Sequence, residues 1–205
     1  MLLSRNVFIL PLIVVMLLTA CAATQVNKVW KEPSYTARPK KILVIGVARV
    51  AENRRALEDG FVGQLRASGT HAVASYTLLP EYKSNDQETI SRIVKEQGAD
   101  AVLITRIVGK ASRDFIVPGK FYQPPPNYGT WQNYFGYGLD VEYMQPVVTP
   151  SRNSIMETNL YDTENDRLVW YASSETGGSG SSRSIIESYI RIMMQTMSAQ
   201  GLLKQ

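Results

Sequence analysis

Two runs of apolar, β-branched residues constrain this chain more than any other feature: Lys41–Val47 (KILVIGV) and Ala101–Val108 (AVLITRIV). Neither alternates between apolar and polar positions. A strand of that kind is covered on both faces, which calls for a sheet with helices packed against it. Between the runs lie two stretches with helical spacing. Over about Asn53 to Ser68, Leu57, Phe61 and Leu65 recur at i, i+4 and i+8, Asn53 can cap the start and Gly69 can end the helix. Over about Asp86 to Gln97, Ile90, Ile93, Val94 and Gln97 share one stripe, Gly98 can stop it, and Asn85 with Glu88 has the spacing of a capping box. Ala72–Leu79 reads as a strand between these helices, followed by a turn over 80–86. Arg106 is unusual in a buried run and must either reach the strand end or meet an acidic partner.

The later half changes character. Residues 118–150 hold Pro118, Pro124, Pro125, Pro126, Pro146 and Pro150, together with 8 of the 19 aromatic residues. Six prolines argue against regular structure, and an excursion of this length usually has a functional role or is disordered. A hairpin follows, with Ile155–Tyr161 and Arg167–Ser173 flanking the turn 162–166. Ile155, Glu157, Asn159 and Tyr161 would face one way, and Met156, Thr158 and Leu160 the other. After a Gly/Ser linker at 177–182, a last helix is expected from Ser184, with Glu187 completing an S-x-x-E box and Ile186, Tyr189, Ile190, Met193 and Met197 buried. The expected fold is an α/β mixed-sheet sandwich in the order β-α-β-α-β, long insertion, β-hairpin, α. Right-handed crossovers would place the first two helices on a sheet face.

The N-terminal segment is an address rather than part of the fold. Val7–Leu18 is an apolar run of 12 residues behind Arg5. That suits the core of a signal peptide and is too short for a spanning helix of ~20 residues. It ends in Leu18-Thr19-Ala20-Cys21, which resembles a bacterial lipobox. The resemblance implies a signal peptide over 1–20 and a lipoprotein carrying diacylglyceryl and acyl (palmitate-type) chains on Cys21. Ala22, in place of Asp, implies sorting to the outer membrane rather than the inner, with the domain facing the periplasm. Residues 21–40 would then be the lipidated Cys and a flexible tether, with a root-mean-square span of about 25 Å. Lys28, Lys31, Arg38, Lys40 and Lys41 would be solvated on it and drawn to anionic lipid heads. A single domain over 41–200 would carry the aromatic insertion.

Composition closes off several activities. The chain has 205 residues, 22 basic and 18 acidic, with one Cys and one His. A lone Cys excludes an internal disulfide and a cysteine-built zinc site, and a lone His71 disfavours a His-paired nucleophile. No phosphate-binding glycine loop follows KILVIGV, and no G-x-S-x-G elbow occurs. The acidic turn Asp162, Glu164, Asp166 does not fit an EF-hand, because the twelfth position from Asp162 is Ser173. The expectation is therefore a protein with no catalytic residues, cofactor or metal, and no nucleic-acid partner.

The lipobox before KILVIGV and the late NLYDTENDRLVW hairpin followed by a helix together resemble periplasmic lipoproteins of the curli-secretion channel and penicillin-binding-protein activator type. The resemblance covers roughly 41–197, as an order of elements more than a residue motif. It implies an anticodon-binding-domain-like core and partner binding rather than enzymatic turnover. Tyr122, Trp131, Tyr134 and Tyr137 of the insertion are the candidate contacts to another envelope protein, since aromatic side chains offer large contact area with few rotors. Two other readings stay open beside it: a subunit of a homo-oligomeric envelope or secretion assembly, and a cell-wall glycan (peptidoglycan) binder or hydrolase.

Overall fold

The computed structural model describes residues 23–81, 87–110, 129–136, 154–177 and 181–203. The strands are β1 (Ala23–Lys31), β2 (Lys41–Val47), β3 (His71–Ala74), β4 (Ala101–Lys110), β5 (Ser154–Asp162) and β6 (Leu168–Gly177). The helices are α1 (Ala51–Ala67), α2 (Gln87–Gln97), a short α3 over 131–136, and α4 (Ser182–Ala199). The six strands form one mixed sheet in the order β1-β6-β5-β4-β2-β3. β2 pairs in parallel with β3 and β4, and the other pairings are antiparallel. The α/β sandwich expected from the sequence is the architecture observed.

Both sheet faces are covered, which is why β2 and the first half of β4 carry apolar residues without alternation. On one face, Leu57, Phe61 and Leu65 of α1 and Ile186, Tyr189, Ile190 and Met193 of α4 pack on Ile42, Val44, Leu103, Met156 and Leu160. On the other, Ile90, Ile93 and Val94 of α2 and Trp131, Tyr134 and Phe135 of α3 pack on Leu43, Ile45, Val102, Ile104 and Tyr161. Burying one such side chain fully contributes about 1.5–3 kcal/mol. The first two helices thus lie on opposite faces, not on one. The path from β2 to β3 and the return from β3 past β2 to β4 cross the sheet in opposite directions, and right-handed connections then put their helices on opposite sides. α1 and α4 approach closely at Gly60, where a Cβ would stand 2.4 Å from Ile190 Cδ1.

Three local expectations are corrected. Residues 23–31 are not a tether: they form β1, paired along its length with β6 from Ala23↔Gly177 to Lys31↔Trp170. Val26 packs against one core and Trp30, four residues on, against the other, because an irregularity in the ladder between Val26 and Lys28 switches the face that the strand's side chains meet and leaves no continuous alternation to read. The third strand stops at Ala74, because Ser75–Thr77 turn into a single 3-10 turn whose Tyr76 N–H is taken by Glu58 (2.8 Å). α1 begins at Ala51, ahead of Asn53. Its cap residue Val50 offers no side-chain acceptor, and Asn53 lies buried in the first turn with its Nδ2 unpartnered.

α4 likewise starts a turn earlier than the S-x-x-E spacing suggests, with Ser181 Oγ accepting from Ser184 N–H (3.3 Å). All three long helices end as a glycine in the left-handed region dictates: Gly69 (φ 77°), Gly98 (φ 56°) and Gly201 (φ 73°). Each ending has the same pair of bonds, Gly69 N to Arg66 O with Thr70 N to Leu65 O, Gly98 N to Lys95 O with Ala99 N to Val94 O, and Gly201 N to Ser198 O with Leu202 N to Met197 O.

Candidate functional site

The aromatic segment was the leading candidate for a contact surface, and its described part is core. Trp131 is 1% exposed and Tyr134 is fully buried. A bridge between Thr130 and Arg167 brings the segment alongside the hairpin turn. There Trp131 Nε1–H donates to Asp166 Oδ1 (2.8 Å) and Gln132 Nε2–H to Asp166 Oδ2 (3.0 Å). The acidic turn is thereby bound internally: Asp162 Oδ1 accepts from Glu164 N–H (2.8 Å) and Asn165 Oδ1 from Arg167 N–H (3.1 Å). Trp131 and Tyr134 therefore do not face a partner. Their rings fill the α2 face of the sheet, where burying aromatic area stabilises the fold more than exposing it would. Tyr122, Tyr137 and Cys21 lie outside the described residues.

Tyr134 belongs to a buried ionic cluster. Arg106 on β4 and Glu157 on β5 are register partners, so their side chains leave the sheet on the same face. Arg106 Nη2 lies 3.1 Å from Glu157 Oε2. Its Nε–H donates to Tyr134 Oη (2.9 Å), and its guanidinium lies 5.3 Å from that ring's centre. Tyr134 O–H donates to Glu157 Oε2 (3.2 Å) and Tyr171 O–H to Oε1 (3.3 Å). The acidic partner that Arg106 required is thus Glu157, directly opposite in the ladder.

A second cluster sits under the other face, and the sequence reading missed it. Arg54 and Glu58 are both buried, spaced i,i+4 on α1, with Nε to Oε1 at 2.9 Å. Glu58 Oε1 also accepts from Gly46 N–H (2.9 Å) and Ser75 O–H (2.8 Å). Arg54 donates onward to Leu79 O (2.9 Å) and Pro80 O (2.8 Å). Burial raises the Glu58 carboxyl above the usual range, offset by Arg54 and by the N–H groups of Gly46 and Tyr76. The clue in the sequence was weak, because i,i+4 ion pairs normally decorate exposed helix faces. What marks this pair is Gly46: a Cβ there would lie 3.2 Å from Arg54 O and 3.2 Å from Glu58 Cγ, so any larger residue would press the helix outward by a few tenths of an ångström. Both carboxylates are engaged by several donors, and this bonding ties the elements together.

The basic residues expected on a tether have structural work of another kind. Lys31 Nζ donates to Gln200 O (3.0 Å), Arg38 Nε–H to Gly201 O (3.2 Å), and Lys41 Nζ to Gln97 O. These carbonyls end α4 and α2, where helix dipoles leave negative partial charge. Asp100 holds the N–H groups of Lys40 (2.8 Å) and Lys41 (2.9 Å). Tyr35 borders this region, and burial together with Asp162 and Asp100 pushes its phenol up to about 12. His71 is exposed at the start of β3. Among the described residues no group of His, Cys, Asp and Glu could hold a metal ion, and no helix is long and apolar enough to cross a membrane.

No family model matches this chain, and no curated protein matches it. Solved structures that resemble it include the PelC dodecamer from Paraburkholderia phytofirmans, with a TM-score of 0.48 and 15% identity over 89% of this chain and 99% of that one. A variant of the same protein in another crystal form gives a TM-score of 0.48 at 14% identity over 90% and 99%.

Proposed function

We propose that this chain is a lipid-anchored protein of the bacterial outer membrane, whose periplasmic α/β domain binds another envelope protein without turnover. The observation that carries this is Leu18-Thr19-Ala20-Cys21: the sole sulfhydryl of the chain stands where lipobox chemistry requires one, behind an apolar run of signal-peptide length. A binding rather than a catalytic role is supported by the use made of the buried titratable groups. Glu58, Glu157, Arg54 and Arg106 bridge strands and helices instead of lining a cleft. With Trp131 and Tyr134 in the core, Tyr122 and Tyr137 keep the contact role first given to all four.

Intact-mass spectrometry of protein from the native host tests the anchor. The expected species begins at Cys21 and carries acyl chains, and Cys21→Ser should leave a soluble or unprocessed form. A processed Cys21→Ser protein that still fractionates with membranes would refute the lipid reading. In-cell crosslinking from positions 122 and 137 tests the partner, and capture of no envelope protein from either position would count against it.

A further inference from the structure

We infer that one particular end of the sheet is seated on phospholipid headgroups: the end formed by the start of β1, the β2–α1 turn and the first turns of α4. This rests on the lipid-anchor reading and deepens it. Consecutive Cα atoms are 3.8 Å apart, so Cys21 lies within about 8 Å of Ala23. At Ala23 the chain is already a strand paired with Gly177. No spacer remains between Cys21 and the sheet, so acyl chains on Cys21 would bring the membrane surface to this end of β1, the end at which the segment between Lys110 and Ser154 also leaves and re-enters.

The ladder shows what else meets that surface. Thr24 pairs with Thr176, Thr176 with Ser154 and Ser154 with Lys110, so four strands share this edge. Thr24 Oγ1 also lies 3.1 Å from Ser188 Oγ, which puts α4 beside it. α4 begins six residues earlier, at Ser182. At 1.5 Å per residue its first turns extend about 9 Å past Thr24, into the depth of the headgroups. Arg183 is exposed on that extension, and Arg49 is exposed on the β2–α1 turn. Glu52 and Glu187 share the same end, so it is not a uniformly basic patch. Seating is set by the short anchor, with Arg183 placed to meet phosphate and the positive end of α4 turned the same way. The opposite end, with Asp100 and the 162–166 turn, would then stand about 30 Å from the bilayer across the nine residues of β1.

The chain lends itself to a direct test, because an acylated Cys21 leaves an introduced cysteine as the only free thiol. Full-length lipidated protein carrying Ala51→Cys or Glu164→Cys, both exposed positions, is labelled with a fluorophore. It is then placed in phosphatidylethanolamine–phosphatidylglycerol vesicles containing a headgroup nitroxide quencher. Quenching at position 51 should be several-fold stronger than at position 164. Equal quenching at both, in protein whose intact mass includes acyl chains, overturns the seating and leaves the anchor standing. Protein from the native host without acyl mass overturns the anchor reading, and the seating with it.

Discussion

At one end of the sheet, α1, α2 and α4 each stop on a left-handed glycine, and Lys31, Arg38 and Lys41 take up carbonyls at the ends of α4 and α2. Nearer the other end, polar groups are satisfied in the interior, by Arg54–Glu58 on one face and Arg106–Glu157 on the other. The first arrangement is made of backbone bonds and of cations, Arg38 exposed and Lys31 and Lys41 half-buried, that still reach water. The second is made of charges stripped of water. The difference teaches where the fold is tolerant. An exposed cap that loses a partner is resolvated, whereas a buried ion that loses its partner remains charged in a low-dielectric interior.

The largest effect expected from breaking this contrast is at Glu157. Glu157→Ala leaves Arg106 buried and uncompensated and should cost about 3–5 kcal/mol in denaturant unfolding. A loss no greater than that of a cap substitution would erase the distinction between the ends. Gly98→Ala should cost about 1–2 kcal/mol, because a Cβ disfavours a left-handed backbone while no atom obstructs it. Gly63→Ala, in the interior of α1 with open space around it, should instead stabilise, which separates the conformational effect from a steric one.

Lys31→Ala and Arg38→Ala should each cost about 0.3–1 kcal/mol, diminishing in high salt, as suits cations that cap helix C-termini at the protein surface. The smallest effect concerns Tyr35. Its phenol is raised to about 12 in the folded protein against an ordinary 10.0, so folding favours the protonated form. That contribution is complete below pH 10 and is lost as pH rises from 10 to 12. Tyr35→Phe should flatten the fall in stability over that interval, measured by unfolding at several alkaline pH values. An unchanged slope would assign the fall to other groups.

The sheet's centre and three of its helices were legible because their signals are local. KILVIGV and AVLITRIV have no polar face to hide, and Gly69 and Gly98 each directly follow the helical stretch they help to end, after Ser68 and Gln97. β1 was not legible. Its residues ATQVNKVWK are mostly polar, and they form a strand because β6 supplies eight residues of ladder from the far end of the chain. The candidate site misled for a related reason. A cluster of aromatic residues has the same composition whether it pads a core or greets a partner, and only the packing of Trp131 and Tyr134 against the α2 face separates the two.

The sequence alone determined the parallel core, the glycine stops at Gly69 and Gly98 and the need of Arg106 for an acid, since each depends on residues close together in the chain. Tertiary structure alone decided that residues 23–31 are strand rather than tether, that Glu157 is the acid, and that Arg54 and Glu58 are interior. Pairing partners lie up to 154 positions away, as with Ala23 and Gly177, and burial of a charge is a property of what surrounds it, which no short window of residues contains.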